Sequence, residues 1–198
     1  FLNAACGNIN HIDTSNEHQA KGPDESSRIG RALGDAALRA LQKAEPLMIE
    51  DLGFASRVVR SRLRTVPEAD VVEAERLLRE EPGKAKAFNG LYADAALVLG
   101  RTKEFELDAE INALRLGPMA LVAMPGEIFV ELAREVQHDS PFDPTRVIGL
   151  TNGSLGYIPN ADSFGRGGYE TGYRSARFEP RTGHRWTEAG VALLRTLV

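Results

Sequence analysis

The chain has 198 residues, of which 42% are hydrophobic, 26% charged and 7% aromatic, a composition that excludes disordered, collagen-like and low-complexity classes. The formal net charge of −4, without a basic block, gives no support to a nucleic-acid partner, and no apolar run reaches the roughly 18 residues that a membrane helix needs. The single cysteine, Cys6, excludes an internal disulfide framework and a cysteine-built zinc site.

The chain opens on an apolar segment, residues 1–7, which resembles the middle of a buried strand followed by a glycine turn. A natural start, a signal peptide or a tag would have a different pattern. We therefore expect the chain to be the C-terminal part of a longer protein. The polar stretch that follows, to Pro23, predicts a long loop of the kind that often carries function.

Hydrophobic periodicity predicts a mixture of helices and strands along the rest of the chain. In chain order these are a helix over 24–45 capped by Asp24, a half-exposed strand over 54–66, helices over 68–80 and 83–99, an alternating strand over 104–113, a strand over 119–124 buried on both faces, a helix over 127–137, a buried strand over 146–150, an irregular stretch over 153–174 and a final helix over 182–197. This order predicts an α/β fold, with a layered mixed β-sheet flanked by helices.

Three predicted strands end in a glycine turn that carries polar side chains, near Gly7, Gly126 and Gly153. In α/β sheets such strand ends meet at one edge, where ligands bind. The pattern nominates a shared site built from Asn8, Asn10, His11, Glu127, Asn152 and Tyr157.

Each candidate also has a structural interpretation. Glu127 in the first turn of a helix would be stabilised by the helix dipole, and Tyr157 would be a packed aromatic residue. Asn8 and Asn152 would bond to their own turns, and His11, without a second histidine at ligand spacing, would be solvated. Cys6 would be a small buried residue rather than a nucleophile. The sequence contains no phosphate loop, dinucleotide fingerprint or Gly-x-Ser-x-Gly pattern.

Three motifs together resemble the catalytic domain of the neutral/alkaline (non-lysosomal) ceramidase family. They are FLNAACGNIN at 1–10, MPGE at 124–127, and TNGSLGYIP at 151–159 with GYE at 168–170. Their order and spacing match, so the resemblance covers residues 1–198 as the C-terminal part of a single ceramidase-like catalytic domain. The N-terminal part would lie upstream and would be this chain's partner within the domain.

The resemblance implies a zinc-dependent hydrolase that cleaves an amide (N-acyl) bond with metal-activated water. It assigns Glu127 and Tyr157 as ligands of Zn²⁺, with two histidine ligands upstream of Phe1, and gives the Tyr157 phenol a second role in stabilising the developing oxyanion. The implied substrate is an N-acyl lipid or another small amide. The family is often exported, so the resemblance favours a secreted or periplasmic location.

The sequence departs from the family at one position, because Asn10 stands where ceramidases carry a catalytic serine. An asparagine cannot act as such a nucleophile, but its amide can donate a hydrogen bond to an oxyanion or position a substrate. Two alternatives therefore stay open. One is a non-catalytic lipid or carbohydrate binding module on the same fold, and the other is a metal-dependent esterase or peptidase.

Overall fold

A computed structural model describes residues 1–13, 15–85, 92–102 and 105–198. Its regular elements are α1 (Pro23–Leu41), β1 (Leu52–Arg62), α2 (Glu68–Glu80), α3 (Pro82–Ala85), α4 (Ala93–Arg101), β2 (Glu106–Leu116), β3 (Met119–Ala123), β4 (Glu127–Ile128), α5 (Val130–Asp139), β5 (Thr145–Ile148), β6 (Tyr157–Ile158) and α6 (Thr182–Arg195), with 3-10 turns at Ala161–Gly165 and Tyr169–Thr171. No helix in these ranges is both long and apolar enough to cross a membrane.

The main sheet has the strand order β1-β2-β3-β5, and its strands are both antiparallel and parallel. β1, β2 and β3 form an antiparallel meander, whereas β3 and β5 run parallel and are connected through α5. A tight turn with a positive φ at Gly117 joins β2 to β3, as the Gly117-Pro118 pair predicts. The predicted mixed α/β sheet is therefore confirmed.

One face of this sheet forms the main core. Alternate residues of the strands are buried there under α5 and α6, namely Ala109, Ile111, Ala113, Ala120, Val122 and Val147. Trp186 of α6 is fully buried among them, and its indole N–H donates to the Ser61 hydroxyl at 2.8 Å. This bond satisfies both buried polar groups, so the helix is fixed on the sheet in one position.

A second apolar cluster holds α2 against α4, with Ala74, Leu77, Ala96 and Leu99 buried between them. α2 has the predicted bounds, and acidic residues in its first turn favour its start. The predicted helix over 83–99 crosses residues 86–91, and the predicted strand over 104–113 starts at residue 104. Both of these parts lie outside the described residues.

The chain divides into two compact units, Asn10–Ile49 on the one hand and Phe1–Ile9 with Glu50–Val198 on the other. The smaller unit consists of a polar loop and α1, a helix without a buried residue. α1 starts at Pro23, after Gly22, and has no side-chain cap, so the predicted cap by Asp24 is not formed.

Three other local predictions are wrong. Residues 1–7 form a single bridge, Ala4 to Ile148, with Phe1 and Leu2 exposed, instead of a buried strand. β3 is fully buried on one face and half-buried on the other. The helix predicted over 127–137 begins only at Val130, and Glu127 lies in β4.

Candidate metal centre

The two-residue strands β4 and β6 pair in parallel and place Glu127 directly beside Tyr157. The Glu127 N–H donates to the Gly156 carbonyl at 2.9 Å, which fixes the register. Gly126, just before the pair, leaves no room for a side chain, because a Cβ there would lie 2.7 Å from Ile158 Cγ1. The glycine is therefore required for the close approach of the two segments.

The side chains of the pair alternate between the core and the outside. Ile128 and Ile158 point into the core and are at most 2% exposed, whereas Glu127 and Tyr157 are half-buried on the other side of the bridge. Strand alternation puts the carboxylate and the phenol on one face. The structure thus brings together the two predicted metal ligands.

The Tyr157 hydroxyl lies 3.4 Å from the Tyr169 hydroxyl, and the two rings meet edge to face with centroids 5.6 Å apart. The pKa of Tyr157 is raised, first by the hydrogen bond with Tyr169, then by burial, and then by the Glu127 carboxylate. The phenol therefore keeps its proton at neutral pH. Sequence reasoning assigned no role to Tyr169, although its Gly-Tyr-Glu segment belongs to the motifs that carry the family resemblance.

The start of the chain also reaches Glu127. The Gly7 N–H donates to the Ile128 carbonyl at 2.9 Å, and a Cβ on Gly7 would lie 2.3 Å from the Glu127 carbonyl oxygen. Cys6 is half-buried, and its pKa is raised by burial and then by the Glu127 carboxylate. The third predicted strand-end turn joins them, because the Leu150 N–H donates to the Gly126 carbonyl at 3.0 Å, so all three turns meet at this point of the fold.

The helix-cap interpretation of Glu127 is wrong, because α5 starts three residues later. Glu131 is the acidic residue of its first turn. Asn8, although distant in sequence, forms two hydrogen bonds with the start of this helix. Its Oδ1 accepts from the Val130 N–H at 2.9 Å, and its amide donates to Glu131 Oε2 at 2.7 Å. The side chain of Asn8 therefore ties the first segment to α5 rather than bonding to its own turn.

The other nominated residues have local partners. Asn10 and His11 are exposed in the smaller unit, and Asn10 Oδ1 accepts a hydrogen bond from the Ile12 N–H at 3.2 Å. Asn152 has a φ of 60° and donates weakly to Glu110 Oε2 at 3.5 Å. Among the described residues, the hydrogen bonds of Asn152 do not reach Glu127.

The donors at Glu127 fit part of a metal site. A carboxylate and a phenol are two oxygen ligands, and no ion pair involving Glu127 is found among the described residues. No group of three or more His, Cys, Asp and Glu residues suited to a metal occurs in the same ranges. The pair therefore requires further ligands from elsewhere to complete a zinc site.

No protein-family model and no curated protein sequence matches this chain. Among solved structures, the chain is similar to neutral ceramidase from Pseudomonas aeruginosa, with a TM-score of 0.59 and 19% identity over 92% of this chain. A second structure, a ceramidase complexed with C2, has a TM-score of 0.46 and 17% identity, over 74% of this chain and 30% of that one.

The similarity to the Pseudomonas enzyme establishes a shared fold and extends over 35% of the length of that enzyme. The chain thus has a ceramidase-like fold, which corresponds to about a third of the solved protein.

Proposed function

We propose that this chain forms part of a zinc-dependent hydrolase that cleaves amide (N-acyl) bonds. The observation that carries the proposal is the Glu127–Tyr157 pair, a half-buried carboxylate and phenol side by side with no ion pair to Glu127 among the described residues. The ceramidase-like fold supports the choice of reaction.

Glu127 and Tyr157 would hold Zn²⁺ together with two histidines from polypeptide upstream of Phe1. Their positions are well suited to this, because the bridge between β4 and β6 fixes both backbones and Gly7 packs against the same strand. When bound, Zn²⁺ supplies a Lewis acid that polarises the scissile carbonyl and lowers the pKa of a water molecule toward about 7.

The chain's own residues would then stabilise charge and orient the substrate. The Tyr157 phenol, beside the bound metal, would stabilise the negative charge that develops on the oxygen of the amide carbonyl. Tyr169 orients this hydroxyl through the contact at 3.4 Å. The amide of Asn10, at the family's serine position, would serve as a second donor or position the acyl group.

The substrate class that we propose is an N-acyl lipid or another small amide. One observation favours the alternative, a binding module without catalysis: Asn10 stands at the family's serine position and accepts a bond within its own turn. Metal content and turnover distinguish the two functions, because a binding module needs neither.

The test is the zinc content of the protein translated from the start codon of its gene, measured by elemental mass spectrometry after gel filtration. We expect about one zinc per chain in the wild type. Because the loss of a ligand weakens zinc affinity by at least about tenfold, Glu127→Gln should retain much less zinc after gel filtration. Glu131→Gln is the matched control, because it changes a nearby carboxylate that bonds to Asn8 instead.

Equal zinc in wild type and Glu127→Gln would remove Glu127 from the ligand set. A wild type without metal would overturn the hydrolase mechanism and favour the binding module. With zinc established, parallel assays on N-acyl lipids, acyl esters and peptides would separate an amidase from the esterase or peptidase alternative.

A further inference from the structure

The main sheet has a second face, opposite to the core under α5 and α6. Strand alternation places six large apolar residues together at one end of it, and we call this group the open apolar face: Leu52, Phe54, Leu114, Leu116, Met119 and Leu121. They pair across the strands, Leu52 with Leu116, Phe54 with Leu114, and Leu114 with Leu121. The face is therefore contiguous over β1, β2 and β3.

The open apolar face is poorly covered. Leu52 is 73% exposed and Phe54 65% exposed, and the other four residues are half-buried. Single apolar residues on a surface are normal, but a contiguous apolar patch over three strands marks an interaction site. In addition, the unbroken apolar sequence of β3 is typical of a strand covered on both sides.

The rest of the same face has a different character. At the far end of β1 and β2, Arg60 lies 3.6 Å from Asp108 and Arg62 lies 3.7 Å from Glu106, and all four side chains are exposed. Charged side chains that pair across strands are well solvated, so this part of the face needs no further layer of protein over it. Apart from Val58, which is 60% exposed and pairs with Glu110, the apolar character is thus confined to one end, which defines where a covering layer would pack.

Asn112 lies between the two ends and on the same face. It is only 8% exposed, and its Oδ1 has no hydrogen-bond partner in the described part of the chain. Its cross-strand neighbour Ser56 donates its hydroxyl to Glu110 Oε1 at 2.9 Å instead. Because a buried acceptor without a partner is costly, this atom indicates a donor supplied by another segment.

We propose that the open apolar face is the docking surface for a further layer of the same domain, formed by polypeptide outside these 198 residues. That layer would be amphipathic, with apolar side chains over the leucines and an N–H or O–H donor for Asn112 Oδ1. The similarity to neutral ceramidase leaves 65% of that chain outside the matched part, enough for such a layer. The inference depends on the proposed function only in assigning the layer to the catalytic domain.

A second copy of this chain would be a poorer occupant. Its own open apolar face could cover the leucines, but the six side chains of that face carry no N–H or O–H donor for Asn112 Oδ1. The two occupants also differ in concentration dependence, because a layer within one chain covers the face at any dilution.

The test uses thiol labelling of the protein translated from the start codon of its gene, in a Cys6→Ser background that removes the natural cysteine. Phe54→Cys probes the open apolar face, and Val72→Cys on α2 is the matched control. These side chains are 65% and 57% exposed, so an uncovered face gives similar labelling rates with a maleimide. We expect Phe54→Cys to react on the order of tenfold more slowly than the control.

Equal rates would overturn the proposal. Protection that disappears on about a hundredfold dilution would also overturn it, since the occupant would then be a second copy. Leu52→Cys, at a position 73% exposed, replaces Phe54→Cys if that variant does not fold. Because labelling needs no metal, protection that persists in Glu127→Gln would support the covering layer even if the zinc proposal fails.

Discussion

Two clusters in this molecule combine a tyrosine with a carboxylate, and they differ in whether a cation accompanies the pair. In the first, Tyr157 lies beside Glu127 and its hydroxyl faces Tyr169. In the second, Tyr173 donates its hydroxyl to Asp70 Oδ2 at 2.5 Å. The pKa of each of these two tyrosines is raised, so both phenols stay protonated at neutral pH.

The second cluster contains its own cation. The guanidinium of Arg64 lies 4.4 Å from the centroid of the Tyr173 ring, and it donates to the Thr171 carbonyl at 2.7 Å. Burial lowers the pKa of Arg64, an effect that Tyr173 and Asp70 oppose. The charges and carbonyls of this cluster are thus satisfied within the chain, and the cluster joins the segment after β1 to the irregular segment before α6.

The first cluster has no such cation in the described parts of the chain, and Glu127 is half-buried. A half-buried carboxylate in this position can accept a cation as its partner. The comparison gives a criterion that separates a structural cluster from a candidate site. A tyrosine–carboxylate pair with its own cation is a structural cluster, whereas a pair without one is a candidate site for a cation.

The largest effect on stability is expected from Arg64→Met, which removes the cation of the second cluster. The variant removes the hydrogen bond to the Thr171 carbonyl and the positive charge near the Asp70 carboxylate. We expect the free energy of unfolding to fall by about 2–3 kcal/mol, measured by urea denaturation. The zinc content of the folded protein should stay unchanged, because Glu127 and Tyr157 are not altered.

Arg101→Met is the control for this change. Arg101 forms an exposed ion pair with Glu75 at 3.1 Å, and its loss should alter stability by no more than about 0.5 kcal/mol. An effect of Arg64→Met as small as that of the control would contradict the structural role of the second cluster.

Tyr157→Phe makes the complementary change in the first cluster. It keeps the ring against Tyr169 and removes only the hydroxyl. We expect zinc affinity to fall by at least about tenfold, measured by competition with a chromogenic chelator, while the free energy of unfolding changes by about 1 kcal/mol or less. Tyr92→Phe, which removes a hydroxyl elsewhere, should leave zinc affinity unchanged. Equal affinities in the two variants would exclude the Tyr157 oxygen as a ligand.

Much of the fold could be predicted from local sequence. The alternation in β2, the Gly117-Pro118 turn and the apolar β3 give a hairpin that the structure contains, and α2 has the predicted bounds. These elements are specified by residues that are near in sequence, so periodicity and turn chemistry are enough.

The immediate surroundings of the candidate site could be predicted only in part. Glu127 precedes an apolar helical pattern and therefore resembled a first-turn residue, yet its pairing with Tyr157, thirty positions later, draws it into a strand. The contact between Tyr173 and Asp70 joins residues 103 positions apart. Such pairings depend on tertiary packing, which overrides the local preferences that periodicity measures.

The smallest expected effect is a change with pH in the free energy of unfolding, caused by the Tyr173 hydroxyl. Burial, followed by the Asp70 carboxylate, raises the pKa of Tyr173 from 10.0 to about 12. At pH values below the unfolded pKa, both states hold the proton and the stabilisation is complete. As the pH rises from 10 toward 12, the unfolded state loses the proton first, so the free energy of unfolding decreases. Tyr173→Phe removes this contribution.

We expect Tyr173→Phe to lose about 1–2 kcal/mol near neutral pH, because its hydrogen bond to a carboxylate is absent. Between about pH 9 and pH 12 the difference from the wild type should shrink, since only the wild type loses the contribution of this phenol. Urea denaturation across that range measures both effects. A difference that stays constant with pH would show that the Tyr173 phenol titrates alike in the folded and unfolded chain, and would weaken the contrast between the two tyrosine clusters.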